Sequence, residues 1–453
     1  MTGERRYALD GSVQSWPNDD GCVVIGGSPL TLFRLTSAGA RTFGDLADGR
    51  AVGNSPLVDR LLDAGAIHPL LDATGTYSPA DVTIVVPTLG PPAHAPTSAV
   101  IVDDGSLPPV EGATIRLDRN RGPAAARNAG LATVTTPLVA FVDADVALPD
   151  GWLDPLLPHF DDPKVAVVAP RIVTAGRPGA ISAYERTHGP LDMGPEAARV
   201  RAGTRVSYLP AAVLVCRTEA IRAVGGFDEA MRYGEDVDLV WRLDDAGRRC
   251  RYDPSSVIEH EPRPDWRSWV AQRVGYGSSA GPLAIRHPGK LAPLRMSGWS
   301  VATWMLTVLG RPVAGAAVGV GSAAALIPKL PDVPPRAAFR LAASGNARAG
   351  EAIAHAVRRT WFPIVAVMAL RSRLARRVLF ASVVAVRHPI ALADDVTYCI
   401  GVWKGMVTER TLDPIVPEIT SWPGRRATRA VRREPGRRRA LRLVRPSRDA
   451  DVR

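Results

Sequence analysis

Two aspartates set two residues apart, Asp143 and Asp145, follow the apolar run Val139-Ala-Phe-Val142. A β-strand alternates faces every two residues, so a strand carried through this point aims both carboxylates the same way. Two hard oxygen ligands on one side suit Mg2+ or Mn2+ held together with substrate phosphates. Further along, Tyr233-Gly-Glu-Asp opens a helix that runs to Gly247, with Val237, Val240 and Trp241 as its buried stripe. Glu235 and Asp236 fall in its first turn, where the helix dipole favours carboxylates whether or not they do chemistry. Ser256-Val-Ile-Glu-His260 reads as a short strand ending in an imidazole, either a structural histidine or a further ligand.

Upstream, Val100-Ile-Val-Asp-Asp-Gly-Ser106 brings Asp103 and Asp104 to the end of an apolar strand. A carboxylate there can accept from a nucleobase imide or a ribose hydroxyl, or simply shape an Asp-Gly turn. Val82–Thr88 is a second apolar strand, ending in Pro-Thr. Asn120-Arg-Gly-Pro123 starts a helix with Arg127 on its first turns. A helix N-terminus with a nearby arginine suits a diphosphate or a base edge, and a plain surface helix would read the same.

The elements that must position these residues alternate. Strand-like Val82–Pro87, Ala99–Val102, Val139–Val142 and Val165–Pro170 are separated by helical stretches. That order predicts an α/β fold with a doubly wound, mostly parallel sheet, whose ligands sit beyond the carboxyl ends of the strands.

We divide the 453 residues into four regions. Residues 1–76 are read as a small unit of short strands, a helix within Ser37–Ala47, and a second helix capped by Ser55-Pro56 that stops near Gly65. Residues 77–263 form the α/β unit. Residues 264–422 are helical and apolar, and arginines separate Trp299–Gly310 from Val313–Ile327 and Trp361–Leu370 from Leu379–Val386. Buried core helices, interfacial or re-entrant membrane helices, and true spans all remain open for them. Residues 423–453 are an arginine-rich tail read as disordered, able to touch anionic lipid.

The net charge of +11 gathers in that tail, where twelve arginines face three acids for a net of +9. The body is close to neutral, which argues against a nucleic-acid-binding core. Cys22, Cys216, Cys250 and Cys399 form no CxxC, which predicts reduced, buried thiols in a cytoplasmic protein. The opening MTGERRYALDGSV has no apolar stretch of the kind found in secretory signals.

Taken in order, these motifs resemble the inverting family-2 glycosyltransferases of the GT-A fold over about 180 residues. The resemblance implies nucleotide-sugar contacts from Thr88, Asp103, Asp104, Asn120, Arg127 and Asp143. It implies metal ligation, Mg2+ or Mn2+, by Asp143, Asp145 and His260. It makes Asp236 the general base with Glu235 beside it, and Trp241 and Arg242 are expected on the acceptor side. The QxxRW motif of processive members is missing, and Trp241-Arg242 lies inside a helix instead. The N-terminal region, on its layout and on Arg34-Leu-Thr-Ser-Ala-Gly-Ala40, resembles PqqD-like winged-helix domains, which implies a precursor peptide or pathway enzyme as partner. The whole layout resembles the mycofactocin-system glycosyltransferases of actinobacteria. That implies a UDP-glucose donor, β-linked glucose, short oligoglucosides on a peptide-derived redox cofactor, and a place at the inner face of the cell membrane. Two other readings keep parts of this pattern: a membrane-associated enzyme acting on a lipid or cell-wall acceptor, and a non-catalytic protein that binds peptide and nucleotide sugar.

Overall fold

A computed structural model describes residues 4–71, 75–386 and 388–421, so the arginine-rich tail lies outside the described residues. At its centre is a nine-stranded sheet. In one half, Leu138–Val142, Val82–Thr88, Val100–Asp103 and Ile115–Arg116 run parallel to their neighbours, as alternating strands and helices require. In the other half, Val213–Arg217 enters antiparallel between Leu138–Val142 and Val165–Thr174. Val165–Thr174 then pairs in parallel with the long strand Arg249–His260. The sheet is therefore mixed. Leu138–Val142 and Val213–Arg217 are buried along their whole length, with helices or loops on both faces.

The parallel half delivers its strand ends, Thr88, Asp103 and Val142, to one edge. The helix Pro123–Thr133 starts at the same edge, with Gly122 at φ +96° before its first-turn proline. Its small face of Ala124, Ala126 and Gly130 lets it lie close on the sheet. A Cβ at Gly130 would sit 2.3 Å from Val85.

The N-terminal unit has an antiparallel sheet of Gln14–Asn18, Gly21–Gly26 and Thr31–Thr36, with Arg6–Leu9 paired to Ile67–Leu70. Its helices Ser37–Ala47 and Pro56–Asp63 are capped by Thr36 and Ser55 and close over Tyr7, Phe33, Phe43 and Leu61. An ion-pair cluster and an apolar patch are among the contacts that dock the unit. The buried guanidinium of Arg249 meets Asp59, Asp63 and Asp162 at 2.7, 2.8 and 2.7 Å. Val23 and Ile25 of the sheet pack against Val333 and Ala338 of the helical region.

That helical region runs from Trp266–Ser278 to Pro389–Glu409, and these two helices pack along each other. Glycines allow the close approach: a Cβ at Gly277 would fall 2.1 Å from the Tyr398 carbonyl oxygen. The apolar helices Gly298–Val308 and Pro312–Ala324 are not core helices. Only 11% of the window Pro312–Lys329, mean hydropathy 1.3, is buried, and this is the one described segment long and apolar enough to cross a membrane. All four cysteines are buried and free, as their spacing predicts.

Candidate active site

Above the strand ends lies a cavity of about 900 Å³. Thr88, Asp104, Asn120, Arg127, Asp143, Asp145, Glu235, Asp236, Trp241 and His260 all line it. Stretches of sequence far apart in the chain therefore converge on one hollow.

Asp104 is the pivot of the first stretch. Its two carboxylate oxygens accept from the backbone N–H of Arg121 at 2.7 Å and of Gly122 at 2.8 Å, which fixes the loop entering the helix Pro123–Thr133. Asn120 points its carboxamide oxygen at Arg232. Thr88 donates to the Gly90 carbonyl, and the Gly90 N–H donates to Ser106. Asp103 lies elsewhere. It is fully buried, accepts from the N–H of Ser106 and Val110, and pairs with Arg116 at 2.5 Å. Burial works against its charge, the hydrogen bonds outweigh burial, and its carboxyl stays below the usual range. Of the two aspartates expected at a nucleotide, Asp103 thus shapes the loop and only Asp104 reaches the cavity. The reason is strand alternation, which sends adjacent side chains to opposite faces.

Arg127 joins the second and third stretches. Its Nη1 donates to Glu235 at 2.8 Å and its Nη2 to Asp143 at 2.7 Å, with Phe227 beneath the guanidinium. Burial alone would favour its neutral form. The two carboxylates overcome that and hold it firmly protonated. The first-turn arginine expected to face a diphosphate is therefore occupied with two acids, and its Nε has no partner among the described residues.

The DxD pair departs from its expected geometry. The strand stops at Val142, and Asp143-Ala-Asp145 forms a turn before the short strand Val146–Ala147. The period-two argument does not apply across a turn, so the two carboxylates part. Asp143 goes to Arg127. Asp145 goes to His260, 3.3 Å from its Nε2, with Arg263 at 4.0 Å. Val146 and His260 face each other across an antiparallel pairing, which explains why this histidine arrives here. Burial pushes the Asp145 carboxyl up, but the bond to His260 more than compensates and holds it low. Among the described residues, no three His, Cys, Asp or Glu side chains are gathered to hold a metal by themselves. Asp143 is taken up by Arg127, and Asp145 and His260 stand together as one carboxylate and one imidazole on the same cavity. Such a pair fits a hard divalent cation that takes its other ligands from phosphate and water.

Glu235 and Asp236 open the helix Glu235–Asp245. Gly234 precedes them at φ +78°, where an L side chain is strained, and a Cβ there would fall 2.7 Å from Ser279. Asp236 accepts from the Ala211 N–H at 3.1 Å and from its neighbour Val237 at 2.8 Å. Burial lifts both carboxyls, Glu235 to about 7 with the Asp236 charge adding to the effect. A carboxylate made more basic by burial is what proton abstraction near neutral pH requires.

On the same helix, Trp241 lines the cavity and donates its indole N–H to the Ser207 carbonyl at 2.7 Å. Arg242 does not line it. It pairs with Asp238 and donates to the carbonyls of Val224 and Gly226, bracing the loop before the helix. Successive helical positions cannot face the same way, so Trp241 and Arg242 part. Sequence reasoning missed Tyr208, Arg263, Arg273, Tyr276, Arg359 and Tyr398, which line the cavity without belonging to any short motif.

The Glycosyl transferase family 2 profile matches residues 96–202. With that match and this sheet, the chain is a family-2 glycosyltransferase with an α/β GT-A fold. It is 39% identical over 452 aligned residues to the Pre-mycofactocin glycosyltransferase of Mycobacterium tuberculosis, in strains CDC 1551 / Oshkosh and ATCC 25618 / H37Rv, covering 88% of this chain and 95% of that protein. The chain belongs to the pre-mycofactocin glycosyltransferase family. A shorter similarity, 32% over 113 residues, joins 24% of this chain to 34% of the succinoglycan biosynthesis protein ExoA of Rhizobium meliloti. Among solved structures, mannosyltransferase PcManGT from Pyrobaculum calidifontis, in complex with GDP-Man and Mn2+, aligns at 18% identity over 74% of this chain and 88% of that one, with a TM-score of 0.39. An alignment this loose says nothing about the chemistry of this chain.

Proposed function

We propose that this enzyme transfers glucose from UDP-glucose to premycofactocin in a single displacement that inverts the anomeric carbon, building short β-linked oligoglucosides. The observation that carries this reading is the convergence of Asp104, Asp145, Asp236 and His260 on one cavity. The likeness to a relative named for premycofactocin supports the acceptor.

Asp236 takes the proton from the acceptor hydroxyl. The hydroxyl oxygen bonds to the anomeric carbon as the bond to the diphosphate oxygen breaks, and UDP leaves from the opposite face. Glu235 sits beside the base and, through Arg127, fixes its surroundings. Thr88, Asp104 and Asn120 receive the nucleotide. Asp145 and His260 are the side chains that would hold Mg2+ or Mn2+, which when bound offsets the charge on the departing diphosphate. Mass spectrometry of premycofactocin incubated with UDP-glucose should show additions of single hexose units. UDP-glucose left intact, or an unmodified acceptor, would refute the reading.

Removing divalent metal should abolish transfer, with Mg2+ or Mn2+ restoring it. Asp145→Ala should lower turnover by roughly 10²-fold or more, in keeping with lost stabilisation of a leaving group. Full activity in EDTA would remove the metal from the reaction.

The same reading puts the enzyme at the inner face of the membrane. Val313, Val320, Val367 and Phe380 are exposed on the helices Pro312–Ala324, Phe362–Ala369 and Arg373–Val384, as is Leu370 just after the second, and beside them Arg311, Arg371, Arg373, Arg376 and Arg377 are exposed as well. Apolar surface flanked by arginine suits an interfacial position among anionic headgroups. The protein should float with phosphatidylglycerol vesicles and stay at the bottom with phosphatidylcholine alone; equal behaviour with both would count against it. A precursor peptide or pathway enzyme would reach the N-terminal unit along the edge strands Gln14–Asn18 or Thr31–Thr36, because Val23 and Ile25 already face the helical region.

A further inference from the structure

The helical region closes the cavity with residues that no motif marks. Tyr276 comes from the helix Trp266–Ser278, Arg359 ends the helix Pro335–Arg359, and Tyr398 lies on Pro389–Glu409. The Arg359 guanidinium lies 3.8 Å from the Tyr398 ring centre, and its Nη1 donates to Asp395 at 3.2 Å. A guanidinium held flat on a ring keeps the rest of its N–H edge for another acceptor. On the side of the base, Tyr208 and Tyr276 line the same cavity as Asp236, and the Tyr208 phenol donates to the Pro190 carbonyl at 2.9 Å.

A second cavity of about 370 Å³ adjoins the first. Trp241, Arg359 and Tyr398 line both, whereas Thr88, Asp104 and Asn120 line only the first. The aromatic wall is therefore the boundary away from the strand ends. Lys290, Arg295 and His355 line the second cavity, and among the described residues no carboxylate does.

We propose that Tyr398 and Arg359, with Tyr208, Tyr276 and Trp241, form the acceptor subsite and select a small planar acceptor carrying a phenol or carbonyl oxygen. Its ring lies against the aromatic faces, and its oxygen accepts from the guanidinium edge. Its reactive hydroxyl then reaches Asp236, while the remainder extends towards the second cavity. The proposal rests on the sugar-transfer reading of the first cavity and adds to it the residues that choose the acceptor.

Steady-state kinetics on the full-length enzyme test it. Tyr398→Ala should raise the KM for premycofactocin about tenfold or more, the scale of one lost aromatic contact. Acceptor-free release of UDP from UDP-glucose should stay within about twofold of wild type. Tyr398→Phe, which keeps the ring, should restore the KM. Arg359→Lys, which keeps the charge beside Asp395 but not the planar edge, should raise the acceptor KM about tenfold. An unchanged acceptor KM in Tyr398→Ala and Arg359→Lys would overturn the subsite, as would a parallel loss of acceptor-free UDP release. If the wild-type enzyme transfers nothing to premycofactocin, the functional reading fails by itself. The subsite is then judged by calorimetric titration with p-nitrophenol, where binding to wild type that weakens about tenfold in Tyr398→Ala supports it and equal or no binding to both overturns it.

Discussion

Asp236→Asn is expected to lower kcat by roughly 10² to 10⁴-fold, the usual contribution of a positioned base. Asparagine keeps the size of the side chain and an oxygen for the Ala211 N–H, so the first turn of the helix should hold its shape. The substitution also removes a charge that burial disfavours, so the melting temperature should not fall. The KM for UDP-glucose should change little, because the proposed nucleotide contacts Thr88 and Asp104 lie at the strand ends. The wild-type pH profile bears on the same residue. Burial raises both members of the Glu235–Asp236 pair, Glu235 to about 7. Activity needs the ionised base, so kcat/KM should fall as the pH drops through the titration of the pair. That limb should lie above the ordinary carboxylate range and belong to both groups together. A folded Asp236→Asn enzyme with near-wild-type turnover would contradict the assignment.

The second large effect concerns Arg127. Its side chain is only 3% exposed and bonds Glu235 and Asp143 at once. Arg127→Met removes the partner and leaves two acids facing each other with no cation between them. Breaking a buried pair in this way costs about 3–5 kcal/mol, so the variant should melt well below wild type. The loss should depend on pH. Glu235 already titrates above its ordinary value of 4.5 in the folded protein, and without the guanidinium it rises further. A carboxyl raised by folding favours the folded state while protonated. That contribution is complete below the unfolded value and fades as the pH rises through the folded one. The variant's deficit should therefore be smaller near pH 5 than near pH 8, as read from denaturation midpoints. An equal deficit at both would show that Glu235 is not what the arginine stabilises.

The sheet was legible because apolar runs closed by Thr, Asp or Gly are local signals. Val82–Thr88, Val100–Asp103 and Leu138–Val142 all end within a residue or so of their motifs. The placing of Asp104 and Asp143 on one cavity was legible for the same reason, since parallel strand ends share one edge, whereas Asp236 comes from a helix start and His260 from an antiparallel pairing. Side-chain direction was less so. Asp103 and Asp104 differ only in which way an alternating backbone points them, and the period-two reading of Asp143 and Asp145 failed where the strand gave way to a turn. Arg242 looked like Trp241's companion until the helix turned it towards the loop carbonyls of Val224 and Gly226. The antiparallel strand Val213–Arg217 has no mark that distinguishes it from a parallel one. The wall of Tyr276, Arg359 and Tyr398 depends on helices packing across more than a hundred residues of chain, and no short pattern carries that information.

The central claim is that one cavity performs an inverting sugar transfer with Asp236 as its base. The most direct measurement is the proton NMR spectrum of the product formed from α-configured UDP-glucose. A large coupling at the anomeric proton, marking a β-glucoside, is the predicted result. An α-glucoside would contradict single displacement and with it the role given to Asp236.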